Sequence, residues 1–125
     1  MTLHDKLKTV LKTACAQGTT VAEVFIPFDA KTSAYRANTP AAVFRLEEME
    51  DKGFGLYRLT LRIDLLGKPA DVEAMCKAVC AAFAGQINDD YWSVSLASGT
   101  LKETWDTDLN VDWGTMTLKG VAIEQ

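Results

Sequence analysis

Several features that mark common protein classes are scarce in this sequence. Its 125 residues include one histidine, three cysteines and three prolines. No stretch approaches the roughly 20 apolar residues of a membrane-spanning helix. Acidic residues outnumber basic ones by 17 to 13, giving a formal net charge of −4. Nucleic-acid binders usually carry a basic patch. We therefore expect no direct sequence-specific contact with nucleic acid, and the missing apolar run excludes a membrane as partner. The odd cysteine count, with no apolar leader in Met1–Val10, predicts a reducing compartment.

The composition that remains is that of an ordinary globular protein. Hydrophobic residues make up 48% of the chain and charged residues 24%. A chain of this length buries enough surface to fold without a disulfide or metal. No internal repeat or change in composition divides it, so residues 1–125 are predicted to form a single domain.

Catalytic and cofactor-binding motifs are also missing. The sequence contains no GxGxxG, P-loop or CxxC pattern, and His4 lies off the apolar stripe of its helix, where an exposed surface histidine is the favoured interpretation. Cys76 and Cys80 share a helix face with apolar residues, which favours core packing over metal ligation, and Cys15 is interpreted in the same way. We therefore expect no enzyme activity, no cofactor and no metal.

Two segments have the spacing of amphipathic helices. In the first, Thr2 is a natural N-cap and Asp5 opposes the helix dipole, and in the second Pro69 suits the first turn. The first apolar stripe comprises Leu3, Leu7, Val10, Leu11 and Ala14, and the second comprises Val72, Met75, Cys76, Val79, Cys80 and Phe83.

Strand patterns occupy most of the remainder. The clearest runs from Tyr57 to Leu65, where apolar residues alternate with Arg58, Thr60, Arg62 and Asp64, which predicts one dry face and one solvated or subunit-facing side. Further strands are predicted over 21–26, 41–48, 92–97, 101–105 and 111–123, with an acidic turn over 47–53, a turn at Ser98-Gly99 and a bulge at Gly114.

These patterns give an α+β fold with the order αβββαβββ. Two helices are too few for a doubly wound parallel sheet, so we expect both amphipathic helices on one face of a mostly antiparallel, twisted sheet. The segment from Asp29 to Thr39 is predicted to be a long loop.

The residues left for function are polar, charged or aromatic and lie outside the predicted core. Trp92 is expected in the core, whereas core and interface stay equally open for Trp105 and Trp113. Between those two, the acidic residues Glu103, Asp106, Asp108 and Asp112 are interpreted as a solvated hairpin rather than a calcium loop. The candidate protein interface comprises Tyr35, Arg36, Arg58, Arg62, Trp105 and Trp113.

The order of the segments resembles the tail terminator and tail completion proteins of long-tailed bacteriophages. An N-terminal helix, a strand and a variable loop precede the strand that starts at Pro40-Ala41-Ala42-Val43-Phe44. The alternating strand Tyr57–Leu65 then leads into a helix, and strands around Asp112-Trp113-Gly114 close the chain. The resemblance spans nearly the whole chain and rests on pattern and order.

The resemblance implies a structural protein of phage or prophage morphogenesis. Such a subunit would form a ring, commonly a hexamer, at the end of the tail tube and join it to the head. Its partners would be further copies of itself, the tail tube and head-completion proteins, in a virion assembled in the host bacterial cytoplasm. The alternative is a small, acidic, dimeric binding protein of the secretion-chaperone kind, whose typical C-terminal helix is replaced here by the strand-like segment Met116–Ile123.

Overall fold

The computed structural model describes residues 2–15, 18–24, 40–83, 86–88, 91–106 and 111–125. Within 86–88, 97–106 and 111–113, only the course of the backbone is described. None of the helices in the described ranges is long and apolar enough to cross a membrane. The elements are α1 (Leu3–Ala14), β1 (Thr20–Glu23), β2 (Ala41–Gly53), β3 (Leu56–Gly67), α2 (Pro69–Phe83), β4 (Gln86–Asn88), β5 (Trp92–Asp106) and β6 (Val111–Glu124).

The strands form one six-stranded sheet in the order β1-β2-β3-β6-β5-β4. β1 pairs with β2 in parallel, and every other neighbouring pair is antiparallel. The predicted α+β class is therefore confirmed. β1 lies at one edge of the sheet, ahead of Pro27, which cannot donate to a strand ladder.

The first helix begins as its sequence predicts. The Asp5 N–H donates to Thr2 Oγ1 at 3.1 Å, and the Thr2 N–H donates to Asp5 Oδ2 at 3.2 Å, which completes a capping box. These bonds, first with the side chain and then with the backbone of Thr2, lower the pKa of Asp5. Leu3, Leu7 and Leu11 are buried, as the stripe predicts.

Both helices pack on the same face of the sheet. α1 contacts α2 and β1, and α2 contacts β3, β5 and β6. Their buried stripes join the apolar alternation of β3, which confirms the dry face predicted for that strand. The core between helices and sheet includes Leu7, Leu11, Phe44, Leu59, Leu61, Ile63, Leu65, Val72, Val79, Phe83, Trp92, Met116 and Leu118.

The predicted acidic turn over Glu47–Gly53 is wrong. β2 continues to Gly53, and only Phe54 and Gly55 connect it to β3. A register shift between Leu46 and Glu48 interrupts the alternation of side chains. The acidic run has the composition of a turn, which is why the sequence predicts one there. Charged residues are also common on edge strands, and here the strand continues through them.

The second half of the sheet also differs from the prediction. β5 is one strand from Trp92 to Asp106, with an irregular register between Ser98 and Leu101 where a turn was expected. The short strand β4 was not predicted, because three residues carry no usable periodicity. The number and order of the elements agree with the predicted αβββαβββ. The strands predicted over 92–97 and 101–105 are however the single strand β5, and β4 was not predicted. The register stays continuous at Gly114, so the bulge predicted there is wrong.

A close approach between β5 and β6 depends on Gly120. This residue pairs with Leu96 on β5 and with Leu59 on β3. A Cβ atom at Gly120 would lie 2.0 Å from the Ser95 carbonyl oxygen, a distance that no real contact allows. Glycine is therefore required for the two strands to pair at this register.

Candidate assembly surface

The outer face, meaning the sheet face opposite the helices, carries the predicted interface arginines on β3. Arg58 is well exposed, with 62% of its side chain accessible, and its Nη1 lies 3.9 Å from Glu50 Oε2. Arg62 is 24% accessible and is turned towards Asp64. Arg58 is thus accessible at the surface, whereas Arg62 is mostly engaged within the chain.

Asp64 was expected on the solvated side of β3 and is instead fully buried. Arg62 donates two hydrogen bonds to this carboxylate, from Nε to Oδ1 at 3.2 Å and from Nη2 to Oδ2 at 3.4 Å. On the same face a second small cluster of buried apolar residues comprises Val24, Ala41, Val43 and Leu66. The outer face is therefore shielded from solvent near Gly67, where β3 ends, and exposed to solvent near Leu56, where β3 begins.

The open half of the outer face forms a shallow groove of about 460 Å³ across β2, β3 and β6. Its lining includes Glu48, Arg58, Thr60, Lys119 and Val121. Acidic, basic and apolar groups alternate over a short distance. A surface of this kind selects a partner by its charge pattern.

Large exposed hydrophobic side chains gather at the same end of the sheet. The end is held together by two backbone bonds, from the Glu124 N–H to the Gly55 carbonyl at 2.8 Å and from the Gln125 N–H to the Tyr91 carbonyl at 2.9 Å. We call this region the hairpin end, defined by Met49, Phe54, Tyr91, Val121 and Ile123, which are 41%, 108%, 54%, 40% and 42% exposed. Exposed apolar residues grouped in this way mark interaction sites more often than isolated ones do.

Phe54 is the most exposed of these residues, and its backbone is unusual. Its φ angle is 57°, and that of Gly55 is 76°. Gly53, which pairs with Leu56 on the other side of the turn, also has a positive φ of 88°. A two-residue loop with positive φ at both positions has the pattern of a type I′ hairpin turn, which favours Asn, Asp or Gly at this position. A bulky residue in that conformation is an outlier, and strained outliers tend to occur where function requires them.

Among the described residues, β2 has no partner strand along most of the edge that faces away from β3. β1 pairs with β2 only over Ala41–Phe44, so in the described part of the chain no strand flanks Arg45–Gly53. The side chains along this open edge are mainly acidic: Glu47, Glu48, Glu50 and Asp51. Lys52 Nζ contacts Glu50 Oε1 at 2.6 Å, and this bond lowers the pKa of Glu50.

The other residues considered for chemistry have structural surroundings. His4 Nδ1 bonds the Glu23 carboxylate and so ties α1 to β1, with 42% of the His4 side chain accessible. Cys15 is buried, which raises its pKa, and Cys76 and Cys80 pack against the core with partial exposure. Among the described residues no group of three or more potential ligands is placed to hold a metal ion.

Four of the six predicted interface residues are not placed by the structure. Tyr35 and Arg36 lie outside the described residues, and the side chains of Trp105 and Trp113 are not described, nor are those of the acidic hairpin between them. Trp92 is buried as predicted, with its ring centroid 5.9 Å from that of Tyr57. No sequence motif singles out Phe54, although an aromatic residue between two glycines in a tight turn is seldom buried.

Comparison with known proteins identifies the fold of this chain but not its family. No protein-family model matches the chain, and no curated protein does. Among solved structures, the chain is similar to a protein of the virion of a native gene transfer agent (GTA) particle. The match covers 96% of this chain and 88% of that one, with a TM-score of 0.52 and 14% sequence identity. The two chains share a fold. At this identity the likeness concerns architecture alone.

Proposed function

We propose that this protein is a structural subunit of a phage or prophage particle, of the tail terminator or tail completion kind. The observation that carries the proposal is the fold shared with a virion protein across 96% of the chain. The order of elements that resembles the tail terminator proteins is a second, independent support. No catalytic activity is part of this role.

The assembly surface suits such a subunit. A closed ring of identical subunits needs two different patches on each copy, one that meets the neighbour ahead and one that meets the neighbour behind. The hairpin end and the groove beside it, which share Val121, together supply one such patch, with exposed apolar side chains next to Arg58, Lys119 and Glu48. Apolar contact supplies affinity, and the charge pattern fixes the register between subunits.

In this proposal the subunits form a ring at the end of the tail tube and connect it to the head. The partners are further copies of the chain, the tail tube and head-completion proteins. The protein is part of the virion and is assembled in the host bacterial cytoplasm. Neither a specific nucleic-acid sequence nor a membrane is a partner.

Oligomeric state provides the first test. The purified protein is measured by size-exclusion chromatography with multi-angle light scattering over a wide concentration range, and the largest species is imaged by negative-stain electron microscopy. We expect monomers at low concentration and rings of about six subunits at high concentration, since ring formation follows mass action. A dimer that persists at every concentration would contradict the ring and favour the secretion-chaperone alternative.

Attachment to tails is the second test. Purified tail tubes that lack a terminator are incubated with the protein and then with filled heads. We expect the protein at one end of each tube and joined particles only when it is present. Binding along the whole tube, or joining without the protein, would exclude the proposed position.

A further inference from the structure

One apolar cleft lies far from the hairpin end and has no role so far. It is formed between the end of α1 and the first half of α2 and encloses about 270 Å³. Small and apolar side chains dominate its lining, among them Ala14, Cys15, Ala74, Met75 and Ala78. Cys15 and Met75 are buried, whereas Ala74 is exposed. We call this cleft the socket.

The socket matches the phenyl ring of Phe54 in size and chemistry. An apolar cavity of about 150 Å³ is large enough to take up benzene, so a cleft of about 270 Å³ has room for the ring and part of its backbone. Phe54 lies fully exposed at the tip of a turn that holds it away from its own core. Asp71 also lines the socket, so its wall is not wholly apolar.

Phe54 and the socket lie at opposite ends of the molecule. β3 starts at Leu56, beside the turn, and ends at Gly67, two residues before α2 begins. At about 3.3 Å per residue this strand separates the two features by roughly 35 Å. Where each pair of copies makes this contact once, it is heterologous and joins copies head to tail into rings or open chains, whereas an antiparallel pair that made it twice would close as a dimer.

Charges near the two features are complementary. Glu48, Glu50 and Asp51 precede the Phe54 turn on the open edge of β2. In the segments that form the socket, the exposed Lys12, Lys68 and Lys77 each stand three positions along the chain from a lining residue, and they outnumber the acidic Asp71 and Glu73 of the same segments. Lys77 also contacts Glu73 at 3.1 Å. An acidic hairpin approaching these lysines is guided electrostatically.

We propose that Phe54 of one subunit inserts into the socket between α1 and α2 of a second copy of this chain. This contact rests on the proposed ring function and names the interface that builds the ring. The unfavourable turn conformation of Phe54 then has a purpose, because it presents the ring for insertion. The acidic edge and the lysines set the orientation of the approaching hairpin.

The test compares self-association of four variants with the wild type by sedimentation velocity. Phe54→Asn removes the ring and supplies a residue that type I′ turns favour, so the fold is kept. Ala74→Phe fills the socket from an exposed helix position. Met49→Thr removes another exposed apolar side chain of the hairpin end, and Ala81→Phe adds the same ring to α2 at an exposed position that does not line the socket.

We expect Phe54→Asn and Ala74→Phe each to weaken association by roughly 10- to 100-fold, the usual effect of losing a central aromatic anchor. Ala81→Phe should associate like the wild type, and Met49→Thr, which removes a neighbouring side chain of the same surface, should weaken association less than Phe54→Asn does. Mixing Phe54→Asn with Ala74→Phe should give a heterodimer and nothing larger. The first variant keeps a free socket and the second keeps a free Phe54, so one contact is restored and growth stops there.

The contrary results separate this contact from the proposed function. Rings that persist in Phe54→Asn would show that another surface joins the subunits, which overturns the contact and leaves the ring standing. Equal weakening of self-association by Ala74→Phe and Ala81→Phe would also overturn the assignment of the socket as the site that Phe54 enters. A wild-type protein that stays dimeric at every concentration would contradict the proposed ring itself. A wild type that stays monomeric at every concentration would overturn the contact, while attachment to tail tubes still tests the function.

Discussion

At the scale of single residues, Arg62 and Asp64 show how charge is arranged on a strand face that is partly dry. Arg62 stands directly opposite Arg45 on β2, and like charges in such a cross-strand pair repel each other. The buried carboxylate of Asp64 lies two positions along the same face and accepts hydrogen bonds from Nε and Nη2 along one edge of the Arg62 guanidinium. The carboxylate thus offsets the repulsion between the arginines.

This arrangement predicts unequal effects of removing either partner. Arg62→Met leaves a charged group that has no access to water, and we expect a loss of about 2–4 kcal/mol in the free energy of unfolding. Asp64→Asn leaves an arginine whose side chain is 24% accessible and can reach solvent, so the loss should be smaller. Urea denaturation of both single variants and the double variant measures the difference. A greater loss for Asp64→Asn would contradict this account.

The capping box of α1 predicts a pH-dependent contribution to stability. Bonding to Thr2 lowers the pKa of Asp5 from its usual 3.8. The contribution is therefore complete above the unfolded-state pKa and is lost as pH falls through the lower, folded-state pKa. We expect Asp5→Asn to be less stable than the wild type at pH 7 and to approach it near pH 3. Urea midpoints at both pH values test this, with Glu48→Gln as the control for net charge.

At the scale of elements, the pairing of β5 with β6 depends on a position where no side chain fits. Gly120→Ala would bring Cβ to 2.0 Å from a backbone oxygen, which cannot move without shifting the whole strand. We expect a loss of about 3 kcal/mol or more in the free energy of unfolding, or failure to fold. Val121→Ala, at the next position and exposed, is the matched control. Equal thermal unfolding midpoints for Gly120→Ala and Val121→Ala would show that β5 shifts readily to accommodate the added Cβ atom.

The same elements show what periodicity can predict and what it cannot. The alternation of Tyr57–Leu65 and the stripe of α2 gave the core faces correctly, because burial on one side of an element leaves a regular pattern. Ser98-Gly99 resembles a turn, yet β5 continues through it because β6 pairs with it on either side of the irregularity. Local sequence does not contain that information, since the pairing partner is distant along the chain.

Site residues were predictable only where their role is local. The position of Arg58 on an exposed strand face follows from its own strand. The burial of Asp64 does not, because it depends on what packs over the outer face beside Val43 and Leu66. Phe54 is not predicted as a surface residue because the acidic run before it indicates a turn that ends at Gly53. The socket could not be predicted at all, since it joins the end of α1 to α2 across more than fifty residues of sequence.

At the scale of the whole molecule, the core predicts cooperative unfolding. The largest apolar cluster contains residues of both helices and of β2, β3, β5 and β6. Since no element has a separate core of comparable size in the described residues, we expect a single two-state transition. Far-UV circular dichroism and tryptophan fluorescence should give the same urea midpoint. Two distinct midpoints would contradict the predicted single domain.

The open edge of β2 has a consequence for the directions in which copies can grow together. An unpaired strand edge is a template for stacking, and repeated edge-to-edge pairing would build an unlimited sheet. Two copies of this edge would bring Glu47, Glu48, Glu50 and Asp51 against their own equivalents, and the repulsion opposes that route. The acidic edge thus disfavours edge-to-edge stacking, and in the proposed ring this leaves end-to-end contact as the direction of growth.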